Sequence, residues 1–146
     1  MKVSQFMARQ FPVVREEMPV REFVRALCEG APGTSGLPVV DPEGHVVGFL
    51  SERDVLEAAL PDYLDLLQSE SIWPEVEQFS LKLKEVAEEP VRSYMRTDVV
   101  KVTEEEDDLY VAELMIRKGL KVLPVVDAEG KLVGLVRQVD LLKGML

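Results

Sequence analysis

The segment Ser51-Glu52-Arg53-Asp54 places a hydroxyl, a guanidinium and two carboxylates where an apolar run, Val46-Val47-Gly48-Phe49-Leu50, gives way to helix-forming residues. A strand that hands over to a helix exposes the first N–H groups of that helix, which are unpaired and carry partial positive charge. Such an end is a natural phosphate site. Ser51 can donate its hydroxyl to a phosphate oxygen, and Arg53 can add charge for a phosphate tail. Asp54, ionised, only accepts hydrogen bonds and so suits the paired hydroxyls of a ribose. The same spacing fits a capping box, in which Ser51 and Asp54 satisfy the helix end itself, although Asp reaches less far than Glu. Spacing alone assigns Ser51 to capping; contact with a ligand is the second role open to it.

A second segment, Arg137-Gln138-Val139-Asp140, follows another apolar run, Leu132-Val133-Gly134-Leu135-Val136. Arg137 stands where Ser51 stands and Val139 where Arg53 stands, while Asp140 is kept. Ribose recognition stays open at Asp140. Arg137 either holds phosphate more strongly than a hydroxyl would or projects into solvent. The missing hydroxyl counts against an equivalent second site.

Other chemistry is poorly provided for. His45 is the only histidine and Cys28 the only cysteine. One of each assembles neither a nucleophile–base pair nor a zinc-type ligand set, so no enzyme, metal or required cofactor is expected. His45 beside Gly44 is expected at the surface, and Cys28 in the core. The run Glu104-Glu105-Glu106-Asp107-Asp108 suits the positive end of a helix better than a cation. No Walker-type glycine loop is present. The net charge of −10 repels a nucleic-acid backbone. A lone cysteine excludes an internal disulfide and fits a reducing cytoplasm. Neither a signal peptide nor a membrane span is expected.

The elements that must position these segments occur twice. Val3-Ser4-Gln5-Phe6-Met7 parallels Val91-Arg92-Ser93-Tyr94-Met95. Leu37-Pro38-Val39-Val40-Asp41 parallels Leu123-Pro124-Val125-Val126-Asp127, and the turns at Gly44 and Gly130 lead to the two apolar runs already named. Each copy reads as a short opening helix and a brief β segment (Phe11–Val14; Val99–Val102). An amphipathic helix follows, with Val20, Phe23, Val24, Leu27 and Cys28, or Leu109, Ala112, Met115 and Ile116, on its apolar face. A β-hairpin and a closing helix (Asp54–Leu60; Val139–Leu146) complete the copy. The division is 1–60 for the first repeat, 61–90 for an insertion and 91–146 for the second repeat. In the insertion Asp62, Asp65, Glu70, Glu75, Glu77, Glu85, Glu88 and Glu89 face only Lys82 and Lys84. It reads as an acidic helical cap: one short helix with Tyr63, Leu64, Leu66 and Leu67, then one with Val76, Phe79, Leu83 and Val86, broken at Trp73-Pro74. A partner-docking surface is the other reading of it.

Two ordered copies with these motifs resemble a paired CBS (cystathionine-β-synthase-type) domain module, over almost the whole chain outside the insertion. The resemblance implies an α/β fold, a pseudo-two-fold pair of β-α-β-β-α repeats with a cleft for each. It implies binding of AMP, ADP, ATP or S-adenosylmethionine, and regulation of an effector, here expected as a separate chain. Ser51-x-x-Asp54 matches the family's ribose-phosphate motif. By the same resemblance the adenine walls are Phe11, Pro12 and Val13 with Ser35, Gly36, Leu37 and Pro38, and in the second copy Val99 and Val100 with Lys121, Val122, Leu123 and Pro124. Ordinary core is the alternative role for Val13, Leu37, Val100 and Leu123.

The expected function is a cytoplasmic, non-enzymatic sensor of an adenosine-containing nucleotide that alters a partner or homodimer interface. The alternatives are a structural dimerisation or docking module with a non-binding cleft, and an S-adenosylmethionine sensor.

Overall fold

The computed structural model describes residues 1–60 and 73–146. The short helix expected around Tyr63–Leu67 lies outside the described residues. The first half contains a 3-10 turn at Val3–Gln5, β1 (Val14–Arg15), α1 (Val20–Gly30), β2 (Gly36–Val40), β3 (Val46–Ser51) and α2 (Glu52–Ala59). Then come α3 (Trp73–Glu88) and a second 3-10 turn at Val91–Ser93. The second half continues with β4 (Val102–Thr103), α4 (Asp108–Lys118), β5 (Val122–Val126), β6 (Leu132–Arg137) and α5 (Gln138–Met145).

Each half forms its own three-stranded sheet, ordered β1-β2-β3 and β4-β5-β6. β1 pairs parallel to β2 through the α1 crossover, and β2 pairs antiparallel to β3. The second sheet repeats this register residue for residue, with Val125 opposite Gly134 as Val39 is opposite Gly48. The hairpins close at Gly44 and Gly130, whose positive φ of 94° and 84° favours glycine. Asp41 Oδ1 accepts from the N–H groups of Glu43 and His45, and Asp127 Oδ1 from those of Glu129 and Lys131.

The opening segments are exchanged between halves. The Val3 N–H donates to Glu106 O, and the Val91 N–H donates to Met18 O. Ala8 pairs both ways with Leu135 on β6, and Arg96 pairs both ways with Phe49 on β3. Val3, Phe6 and Met7 therefore belong to the core of the second sheet, with Val102, Val111, Leu123 and Val136. Val91 belongs to the core of the first, with Val14, Phe23, Leu37 and Leu50. The repeats are sequential in the chain but interlocked in space.

Several local expectations need correction. The opening helices are 3-10 turns, and the brief strands begin at Val14 and Val102, leaving Phe11–Val13 and Val99–Lys101 outside the sheets. The closing helices start at Glu52 and Gln138, because Ser51 and Arg137 take the cap positions. Cys28 is exposed, not a core thiol. Val24, Leu109 and Ile116 are also exposed; the buried stripes are Val20/Phe23/Leu27 on α1 and Val111/Leu114/Met115 on α4. One side of each helix faces its sheet, and residues a turn further round fall outside that contact. α3 forms as expected, with Val86 buried and Phe79 and Leu83 half-buried. It packs on α1 and α2, and Arg21 on α1 pairs with Glu88 near its end.

Candidate functional site

The candidate site is built from the N-terminus of α2. Ser51 is its cap: the Asp54 N–H donates to Ser51 Oγ at 3.1 Å, and the Ser51 N–H donates to Asp54 Oδ2 at 3.0 Å. The capping box is thus realised, with aspartate reaching far enough to close it. The Glu52 N–H donates to Ser35 O at 2.9 Å. Gly36 lies opposite Ser51, where a Cβ would come within 2.9 Å of Ser51 Cα and 2.7 Å of Leu50 O. Ser35 and Gly36 therefore sit directly beside the Ser51–Asp54 turn.

The remaining oxygen of Asp54 is claimed from the other half. Arg96 Nε donates to Asp54 Oδ1 at 3.0 Å. The Asp54 side chain is 8% exposed and that of Arg96 is 60% exposed, so the guanidinium covers a nearly buried carboxylate from the solvent side. Arg96 can reach because its backbone is held against Phe49 by two hydrogen bonds of 2.8 Å. Arg53, expected to add charge, instead donates to Glu57 along its own helix at 2.8 Å, which raises its pKa above the ordinary value.

The second copy solves the same problem differently. The Arg137 N–H and Nε donate to Asp140 Oδ2 at 2.9 Å, and Arg137 Nη2 donates to Oδ1 at 2.8 Å. Arg137 does not project freely into solvent: it forms a fork on its own aspartate, and that hydrogen bonding raises its pKa. Asp140 is 9% exposed. The position equivalent to Arg96 is Ala8, which has no charge to offer. Each aspartate has one arginine, drawn from a different place.

Of the expected apolar walls, Leu37, Pro38, Val122, Leu123 and Pro124 are buried within β2 and β5. Phe11, Pro12, Val99 and Val100 are half-buried, and Val13 and Lys121 are exposed. Pro12 lines a groove of about 370 Å³ with Met18, Ala26 and Gly30, to which no residue of the Ser51–Asp54 turn contributes. Arg96 was not anticipated from the sequence. Its only signal is that the first copy has alanine at the matching position. Asp41, Glu43 and His45 bring ligand-type atoms within 4.8 Å of one another, but they share one hairpin turn whose hydrogen bonds already use Asp41.

Among the described residues no helix is long and apolar enough to cross a membrane. The chain is similar to a 17.7 kDa protein of Acidianus ambivalens, 29% identical over 99% of this chain and 73% of that one. Its fold matches the crystal structure of CBSX2 in complex with AMP, with a TM-score of 0.73 and 24% identity over 99% of this chain and 95% of that chain. It also matches the cytosolic domain of the Mg2+ channel MgtE in complex with ATP, with a TM-score of 0.66 and 31% identity over 94% of this chain and 46% of that chain. The CBS domain family model matches twice, at residues 3–61 and 91–146. With both sheets, both hairpins and both terminal aspartates accounted for by those two matches, this chain belongs to the CBS domain family as a tandem pair.

Proposed function

We propose that this CBS pair is a regulatory binding module, not an enzyme, that takes an adenine nucleotide at Asp54 and passes its presence on as a change in packing between repeats and against a partner. One observation carries the reading: a nearly buried aspartate at a helix N-terminus is contacted by Arg96, from the opening segment of the second repeat that docks on the first sheet, so whatever displaces or joins that contact acts on the connection between the repeats. A ligand shifts the arrangement only as far as it prefers one state of that contact over another. The ATP held by the MgtE cytosolic domain, 31% identical over 94% of this chain, supports an adenine nucleotide as the ligand class. In this reading Ser51 and the α2 N–H groups hold phosphate, Asp54 holds the ribose hydroxyls, and Ser35-Gly36 flank them. The module would act in the cytoplasm, as a homodimer or with a separate effector chain.

A second reading, a dimerisation or docking module, is favoured by the closed Arg137–Asp140 fork and by the exposed Leu109, Ile116, Val139 and Leu142 on α4 and α5. Thermal unfolding with AMP, ADP, ATP, S-adenosylmethionine and GTP separates the two. A ligand at about 100 times its dissociation constant stabilises by roughly 2.7 kcal/mol. A shift with an adenine nucleotide that Asp54→Ala abolishes supports the sensor. No shift with any of the five supports docking, a shift with S-adenosylmethionine alone moves the ligand class, and product formation from pure protein overturns the non-enzymatic reading.

A further inference from the structure

We propose that Arg96 is a latch that makes the Asp54 site select phosphorylated over unphosphorylated nucleosides, an inference that rests on the nucleotide reading above. The two oxygens of Asp54 are engaged, one by its own cap N–H and one by Arg96. The carboxylate is nearly buried and its cover is the exposed guanidinium. Sugar hydroxyls can take the place that Nε now fills at Oδ1 only if Arg96 moves aside. A guanidinium is always charged, so once Arg96 has moved it must find another anion or go without. Its backbone is pinned to Phe49, which confines the freed guanidinium to the neighbourhood of the α2 N-terminus. A phosphate bound there exchanges one charged pair for another. An uncharged nucleoside breaks the pair and gives nothing back, which costs what a charge-assisted hydrogen bond is worth, about tenfold or more in affinity.

The latch belongs to one site only. Ala8 stands where a second latch would be, and Asp140 is closed by an arginine three residues away on the same turn. The Arg137–Asp140 fork joins residues three apart on one turn, whereas opening Arg96 releases a contact between residues 42 apart in the chain.

The test is calorimetric titration of the full chain with AMP and with adenosine, for wild type, Arg96→Ala, Arg96→Gln and Asp54→Ala. Far-UV circular dichroism of each variant confirms that it is folded. Wild type should bind AMP at least about tenfold more tightly than adenosine. Both Arg96 variants should bring that ratio to within about threefold, by weakening AMP while adenosine is unchanged or tighter. Loss of AMP binding in Asp54→Ala together with an unaltered AMP-to-adenosine ratio in both Arg96 variants would overturn the latch and leave the nucleotide site standing. Absence of AMP binding in wild type, with none gained from ADP or ATP, would overturn the nucleotide reading and the latch with it.

Discussion

Gly48 on β3 leaves the space into which Met95 of the other repeat presses. A Cβ at Gly48 would lie 2.5 Å from Met95 Sδ and 2.9 Å from the Arg96 carbonyl oxygen. The same meeting occurs between Gly134 and Met7, with a Cβ 2.8 Å from Met7 Sδ and 3.0 Å from the Ala8 carbonyl oxygen. Methionine can bend away, but the backbone carbonyl is part of a hydrogen-bonded bridge and cannot. Gly48→Ala and Gly134→Ala should each lose about 1–3 kcal/mol of stability in urea unfolding. Gly48→Ala should also weaken nucleotide binding, because it moves the backbone that carries Arg96; Gly134→Ala should not.

Ser51→Ala removes the acceptor for the Asp54 N–H. The loss of a helix cap should cost about 1 kcal/mol, measured by chemical denaturation. If the hydroxyl also touches phosphate, AMP affinity falls further than adenosine affinity; equal affinities of mutant and wild type would confine Ser51 to capping.

Arg137→Ser opens the fork on Asp140. Leaving a nearly buried carboxylate with only its cap N–H should destabilise the chain by about 1–3 kcal/mol. It should also create the hydroxyl that the second site lacks, so nucleotide stoichiometry by calorimetry should rise above the wild-type value. An unchanged stoichiometry would show that more than Arg137 closes that cleft.

Acid stability should depend on the hairpin turns. The His45 and Glu43 N–H groups that bond to Asp41 hold its carboxyl below the usual range, and those of Lys131 and Glu129 do the same for Asp127. A carboxyl with a depressed folded pKa stabilises above the unfolded value near 4 and loses that contribution as pH falls through the folded one. Asparagine accepts the same two N–H groups without titrating. The double variant Asp41→Asn/Asp127→Asn should therefore show a shallower loss of stability below about pH 4 than wild type.

At the alkaline end the sensitive group is Tyr94, packed against the first core and pushed up to about 12 by burial and then by its hydrogen bond with Glu89. Its neutral form is favoured in the fold, so that contribution is complete below the unfolded value near 10 and lost as pH rises toward 12. Tyr94→Phe should flatten stability over that interval and remove a late-titrating phenol from the tyrosinate absorbance of the wild type.

The hairpins, both crossover units and the cap at Ser51 are legible in the sequence because they depend on local patterns: glycine turns, alternation within β-branched runs and a box of fixed spacing. The burial of the helices is less so. Leu109 and Ile116 have the right spacing for a buried face, yet in the repeat register Leu109 aligns with Arg21 and Ile116 with Cys28, both outside. Comparison between copies did not correct the reading, because Ile116 at the position of Cys28 made both look buried. Arg96 is a harder case. Its role arises from a pairing across the interface with Phe49, and no local pattern encodes which strand an opening segment will join.

The exchange of opening segments has a consequence for how the chain reaches its native state. The first sheet leaves the ribosome before Val91 and Met95, which complete its core, have been made, and residues 1–8 wait longer still for β6. Cores closed by distant parts of the sequence form slowly. Meanwhile the seat on each sheet fits the matching segment of a neighbouring molecule as well as its own, since the contacts are the same. Exchange of these segments between molecules is therefore the misassembly that this architecture invites.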